Sequence, residues 1–418
     1  MNILKVQGGK ELEGRVKISG AKNSAVALLP ATLLCDESIN LLNVPDISDT
    51  VALFDILSYL GAKITSLGEE SYKIDVSNIE NKPITDEMSN KLRASYYFMG
   101  ALLGKYKKAV VSYPGGCSIG SRPIDLHLKG FESLGAKIKY EENNIIISAE
   151  ELKGSNIYLD FASVGATINI MLAAVKAEGT TIIDNAAREP EIVNIAMFLN
   201  SMGAKITGAG TSTIRIKGVK NMHSSVHEVI PDRIEAGTYI MIGACACKRL
   251  VVENIIPEHL EALTQKLIEM GVDLKIEDDS IYISNKNKLK AVKIKTQVYP
   301  GFPTDMQQVM SALMTRAEGK SVIEETIFEN RFQNLYELRK MGANIEVSGN
   351  KGYIFGPTKL RGKTVNATDL RAGASLVLAA LIAEGTTTIN NADYILRGYE
   401  HITEKLTSLG AKIELTQI

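Results

Sequence analysis

The chain has no tryptophan, only four cysteines and eleven prolines in 418 residues, and aromatic residues make up 6% of it. Each shortage excludes something. Cys35, Cys117, Cys245 and Cys247 form no C-x-x-C pair and are too sparse for a disulfide framework, which points to a reducing, cytoplasmic setting. Five scattered histidines suggest no metal-ligand cluster. No apolar run approaches the roughly 18 residues that a membrane span requires. The opening MNILKVQGGK lacks the apolar stretch and cleavage site of a secretory signal. A formal net charge of −1 argues against a general coat for nucleic acid or membrane surface, although local basic sites stay open. The 45% hydrophobic content is enough for a sizeable core, and the length predicts two or three domains.

What the chain does contain is a repeat. Leu60-Gly-Ala-Lys-Ile64 recurs as Leu134-Gly-Ala-Lys-Ile138, Met202-Gly-Ala-Lys-Ile206, Met270-Gly-Val-Asp-Leu274, Met341-Gly-Ala-Asn-Ile345 and Leu409-Gly-Ala-Lys-Ile413. The six glycines are spaced by 74, 68, 68, 71 and 68 residues. Each is expected to cap a helix in the left-handed conformation before a strand of alternating character. A second motif, Ala177-Glu-Gly-Thr-Thr181, returns at 317–321 and 383–387 between an alanine-rich helix and a strand. The pattern predicts six α+β units of about seventy residues, three to a domain, with a division near residues 223–231.

The unusual residues fall at matching places in the units. Helix starts carry Lys22, Arg93, Gly165, Arg233, Asp305 and Arg371, and strand-to-helix loops carry Arg122, Arg188, Arg331 and Arg397. A cation at a helix start works against the helix dipole by about 0.3–1 kcal/mol, so a bound anion is one natural offset. Salt bridges to acids such as Glu189 or Glu329 are the other. Asp305 reverses the sign of the pattern. It is either a plain cap or a carboxylate held among cations as a general base. Cys117 lies among glycines 115, 116 and 120, where no core is expected; Cys35, Cys245 and Cys247 lie in apolar stretches and read as core.

SGAKNSA, YPGGCSIGSRP, NAAREPEI, PDRIEAGT, GFPTDMQ, IFENRF, DLRAGA and ADYILRGYE occur in that order along the chain. Together they resemble the enolpyruvyl transferases, over essentially the whole length. The resemblance implies two inside-out α/β barrel-like domains of three βαβαββ repeats each, residues 21–230 and residues 1–20 with 231–418, with the active site between them. It implies transfer of the enolpyruvyl group of phosphoenolpyruvate to the 3-hydroxyl of UDP-N-acetylglucosamine with release of phosphate, the committed step of peptidoglycan synthesis. No metal or organic cofactor, nucleic acid, membrane insertion or particular protein partner is implied.

Site residues follow from the same matches. Cys117 is the implied proton donor to C3, carried on a glycine-hinged lid and open to alkylation by fosfomycin. Asp305 is the implied base for the sugar hydroxyl. Lys22, Arg122 and Arg397 match phosphoenolpyruvate contacts, with Arg93, Arg331 and Arg371 nearby, and Asn23 matches a sugar contact. Arg122, Pro123, Ile124, Asp125 and Leu126, with Ser163, Val164 and Gly165, match the uridine and diphosphate segments. Ile327 is an apolar nucleotide-sugar contact or a strand-end core residue, and His127 either reaches the same site or sits on a helix face. Some relatives carry a lysine before Ser163; here Phe161-Ala162 stand there. Three other readings fit less of the chain: a shikimate-type acceptor, a non-catalytic binder, and a nucleic-acid module, the last lacking aromatic interleaving.

Overall fold

The computed structural model describes residues 2–91, 93–112 and 124–417, and at 86, 90, 91, 93 and 94 the backbone only. Cys117, Arg122 and Pro123 therefore lie outside the described residues, as does the side chain of Arg93. The chain forms two compact units, passing from one to the other between Ser19 and Gly20 and returning between Ile230 and Pro231. Each unit encloses its own hydrophobic core.

Six helices form the centres of these cores: α1 (Lys22–Ala31), α2 (Tyr97–Tyr106), α3 (Val164–Ala174), α4 (Arg233–Ala246), α5 (Thr304–Met314) and α6 (Leu370–Ile382). Their sequences are apolar or small on nearly all sides, as in IMLAA and GASLVLAALI, and such helices are stable only when surrounded. All but one residue of α4 is buried. Strands such as Thr213–Lys217 instead alternate exposed and buried, so the sheets keep an outer face to solvent. Helices inside and sheets outside is the architecture the sequence motifs implied.

Sheet register shows how the repeats close. The strand Asn156–Tyr158 pairs in parallel with Thr180–Asp184, which pairs antiparallel with Thr213–Lys217, and that with Lys205–Thr207. The sheet of Lys293–Lys295 repeats this order. Three repeats borrow a strand from far along the chain. Asn2–Gln7 lies between Thr386–Asn390 and Lys412–Gln417 and completes the last repeat. Leu12–Lys17 supplies the first strand of the fourth repeat by pairing with Cys247–Glu253. Val226–Glu228 does the same for the first repeat beside Ser38–Leu42. The second repeat is reduced: a single bridge, Ile84 to Val111, stands where its first strand would be, and Arg93 sits in a short 3-10 turn ahead of α2 rather than at the helix start.

All six motif glycines have positive φ, from 87° to 108°. Each ends its helix with the same pair of hydrogen bonds, for example Gly61 N to Ser58 O at 3.0 Å and Ala62 N to Leu57 O at 2.9 Å. A Cβ at Gly410 would meet nothing within 4 Å, whereas at Gly61 it would lie 2.5 Å from the Asn78 carbonyl oxygen. Gly410→Ala should therefore cost only backbone strain, about 1–2 kcal/mol, and Gly61→Ala distinctly more. Urea denaturation of the two variants checks the order; equal losses would contradict it.

Candidate active site

In the unit that begins at Pro231, the fifth and sixth repeats bring three of the expected residues together. Asp305 is in the first turn of α5, Arg371 is in the first turn of α6, and Arg331 lies in the loop after the strand Gly319–Glu324. Arg331 Nη2 contacts Asp305 Oδ1 at 2.6 Å, and Arg371 Nη2 lies 3.4 Å from Oδ2. Both arginine side chains are 3% exposed and the carboxylate 27%. A carboxylate touching solvent between two buried guanidiniums is fixed in orientation. Asp305 is thus more than a cap: Pro303, at the cap position, offers no side-chain acceptor, and Asp305 faces arginines.

Helix starts differ in a way the sequence did not reveal. Asp232 caps α4 by accepting from Ile234 N and Glu235 N. Asp369 caps α6 by accepting from Arg371 N and Ala372 N, and Ser163 caps α3 through Ala166 N. The starts of α1, α2 and α5 have no side-chain cap, so N–H groups there remain the better anion donors. Of these, α1 begins with Lys22 and α5 carries Asp305 in its first turn.

The other unit holds two groups of expected residues. Lys22 Nζ meets Asp49 Oδ2 at 3.0 Å, and Asp49, in the first turn of the helix Ser48–Tyr59, is buried. Sequence reasoning missed Asp49. Asn23 is half-buried beside Lys22. The second group surrounds the start of α3. Ile124, Leu126 and His127 are buried, Asp125 is exposed, and all four lie at the start of the helix Asp125–Ser133 that packs on α3. A Cβ at Gly165 would lie 3.0 Å from the His127 ring and from the Tyr96 hydroxyl, a tight fit that a side chain there would have to push aside. Asn169 Nδ2 donates to His127 Nδ1 at 2.8 Å, which leaves the proton of the neutral ring on Nε2. His127 therefore stands beside Ser163, Val164 and Gly165. Phe161 is exposed, and Lys129 pairs with neighbouring Asp160 at 3.0 Å.

Other expected positions carry less. Ile327 is 38% exposed, a surface side chain rather than core. Arg397 follows the short helix Asp393–Leu396 and is half-buried, in a turn rather than an open loop. Arg188 is exposed. Burial raises the thiol pKa of Cys35 and of Cys245, and that of Cys247 to about 12, so these three stay protonated and unreactive. Among the described residues no helix is long and apolar enough to cross a membrane.

A buried cluster holds the chain where it leaves this first-named unit. Ser19 N donates to Glu235 Oε2 at 2.8 Å, Lys405 Nζ meets Glu235 Oε1 at 2.7 Å, and the Ser19 hydroxyl donates to Glu400. Burial pushes the Glu235 carboxyl up to about 7 although Lys405 opposes the shift. A raised carboxyl pKa gives stability that is complete below the ordinary value of 4.5 and is lost as pH rises through 7. Glu235→Gln should remove that loss, on the order of 2–3 kcal/mol. Thermal melts of both proteins from pH 4.5 to 8 check it; parallel curves would contradict it.

Comparison with known proteins shows the family. The family model described as EPSP synthase (3-phosphoshikimate 1-carboxyvinyltransferase) matches residues 6–406. UDP-N-acetylglucosamine 1-carboxyvinyltransferase 2 of Listeria innocua serovar 6a is 52% identical over 99% of this chain and 97% of its own. The protein of that name from Bacillus anthracis is 52% identical over 99% of this chain and 96% of its own. The crystal structure of the enolpyruvyl transferase NikO from Streptomyces tendae superimposes with a TM-score of 0.91 at 27% identity, covering 100% of this chain and 99% of that one. EPSP synthase from Acinetobacter baumannii shares the fold at a TM-score of 0.79 and 20% identity, with both chains fully covered. With Asp305 set between two arginines at the start of a core helix and relatives matched end to end, the chain belongs to the enolpyruvyl (1-carboxyvinyl) transferase family.

Proposed function

We propose that this chain transfers the enolpyruvyl group of phosphoenolpyruvate to the 3-hydroxyl of UDP-N-acetylglucosamine and releases phosphate, the first committed step toward peptidoglycan. The observation that carries the reading is the Asp305 carboxylate, in the first turn of α5 and in contact with both Arg331 and Arg371. The reaction runs as addition followed by elimination. The sugar oxygen attacks C2 of phosphoenolpyruvate, its proton passes to Asp305, and C3 gains a proton from Cys117. A tetrahedral adduct forms, positive character at C2 being stabilised by the carboxylate. A proton from C3 then returns to the Cys117 thiolate, the double bond re-forms as the C2–O bond to phosphorus breaks, and phosphate leaves with the proton that Asp305 had taken.

In this reading Lys22, Arg122 and Arg397 bind the phosphate and carboxylate of phosphoenolpyruvate, with Arg93, Arg331 and Arg371 adding charge nearby and Asn23 meeting the sugar. Ile124, Asp125, Leu126, Ser163, Val164 and Gly165, with Arg122 and Pro123, hold the nucleotide, and Ile327 covers its sugar. Lys22 paired with Asp49 is placed before substrate arrives. In this reading the enzyme is cytoplasmic. Phosphate release with each acceptor tests the reading. Turnover with UDP-N-acetylglucosamine and none with shikimate 3-phosphate is expected; the reverse, or no release with either, overturns it.

A further inference from the structure

Five repeats share a slot just after their third element, and one of them fills it differently. Asn43, Asn185, Asn254 and Asn391 each follow a strand, have φ of 55–57°, and donate a side-chain amide to a main-chain carbonyl: Val229, Leu159, Ile18 and Ala367 respectively. Each carbonyl belongs to the residue just after the first strand of its repeat. In the fifth repeat the slot holds Glu325, 3% exposed, and the residue after the first strand is Thr296. The contact is inverted: the Thr296 hydroxyl donates to Glu325 Oε1 at 2.8 Å.

A buried carboxylate costs several kcal/mol to desolvate unless its oxygens are satisfied. Asparagine does the structural task in four repeats without that cost. The glutamate sits in the repeat whose core helix also begins with Asp305 instead of a cation. Its remaining partners lead there. Oε1 accepts from Ile327 N at 2.8 Å and Phe328 N at 3.2 Å, which fixes the loop that carries Ile327 and leads to Arg331. Oε2 accepts from the Thr304 hydroxyl at 2.8 Å. That hydroxyl has one proton, so its lone pairs face Arg331 Nη1 at 2.9 Å. Arg331 Nη2 then holds Asp305.

We infer that Glu325 is a positioning residue for the reaction, acting through the Thr304 hydroxyl and Arg331 to fix the Asp305 carboxylate. Because this deepens the reading of Asp305 as the base, it rests on the proposed function.

Steady-state kinetics on folded variants test it. Glu325→Gln is isosteric, and Thr304→Val removes only the hydroxyl's polarity. Each should lower kcat about 10- to 100-fold, the scale of a misplaced catalytic group, with KM for both substrates within about threefold of wild type. Thr304→Ser should recover most of kcat. In an Asp305→Ala background Glu325→Gln should have no further effect on kcat, since a positioning residue has nothing left to position. Unchanged kcat in Glu325→Gln, or an equal loss in the Asp305→Ala background, overturns the inference. If the wild type releases no phosphate, the proposed reaction fails instead. A crystal structure of Glu325→Gln still decides the contact chain: Arg331 should leave Thr304 and Asp305, and an unmoved Arg331 refutes it.

Discussion

Asp305→Ala should lower kcat by about 10²–10⁴-fold, the usual contribution of a positioned general base, while both substrates still bind. The geometry gives the second half of that expectation. Removal of the carboxylate leaves Arg331 and Arg371, each 3% exposed, without their shared anion. With one opposing charge fewer, the two cations favour the doubly acidic phosphoenolpyruvate more, so its affinity should hold or rise. The same variant should lose stability, because a buried charge deprived of its partner is costly, about 3–5 kcal/mol for a fully buried pair and less for this half-exposed acid. Isothermal titration with phosphoenolpyruvate, together with turnover, reads both. Normal turnover removes Asp305 from the chemistry; failure to bind shows that it is a binding group instead.

The second large effect concerns Cys117. A serine hydroxyl is a far weaker acid than a thiol, which titrates near roughly 8.5. Cys117→Ser should therefore lose turnover by about 10²–10⁴-fold if this residue protonates C3. It should also resist covalent labelling by fosfomycin, an epoxide phosphonate. The other cysteines do not confuse the experiment. Cys35, Cys245 and Cys247 are buried with raised thiol pKa values. Peptide mapping of the native wild type should find one labelled site, and none in the variant. Undiminished labelling of Cys117→Ser would refute the assignment.

Much of the fold was legible because its punctuation is local. A glycine that ends a helix in the left-handed region needs only its own turn, and Gly61, Gly135, Gly203, Gly271, Gly342 and Gly410 all do so. Strand exchange was not legible. Leu12–Lys17 and Cys247–Glu253 are neighbours across more than two hundred residues, and no local propensity encodes that pairing. The asparagines at 43, 185, 254 and 391 could have been found, since each follows its strand at one offset.

The site divides along the same line. Lys22, Asp305, Arg331 and Arg371 stood out because cations and one acid recur at helix starts and loops. Asp49 and Glu325 did not, because an acid near a strand end or in a first helical turn is ordinary in sequence. Their meaning comes from a partner elsewhere: Lys22 at 3.0 Å for one, the Thr304 hydroxyl at 2.8 Å for the other. Helix caps were equally hidden. Asp232 and Asp369 each accept from two N–H groups at the starts of α4 and α6, so an arginine at a helix start is not by itself an open anion site.

The central claim is that this chain's own side chains move an enolpyruvyl group onto one hydroxyl of one sugar nucleotide. Proton and carbon NMR of the product formed from phosphoenolpyruvate and UDP-N-acetylglucosamine, in the presence of a chelator, tests it most directly. A vinyl ether on the sugar 3-oxygen, formed in equal amount with phosphate, is the predicted result. Unchanged substrates, or phosphate released without the vinyl ether, would contradict it.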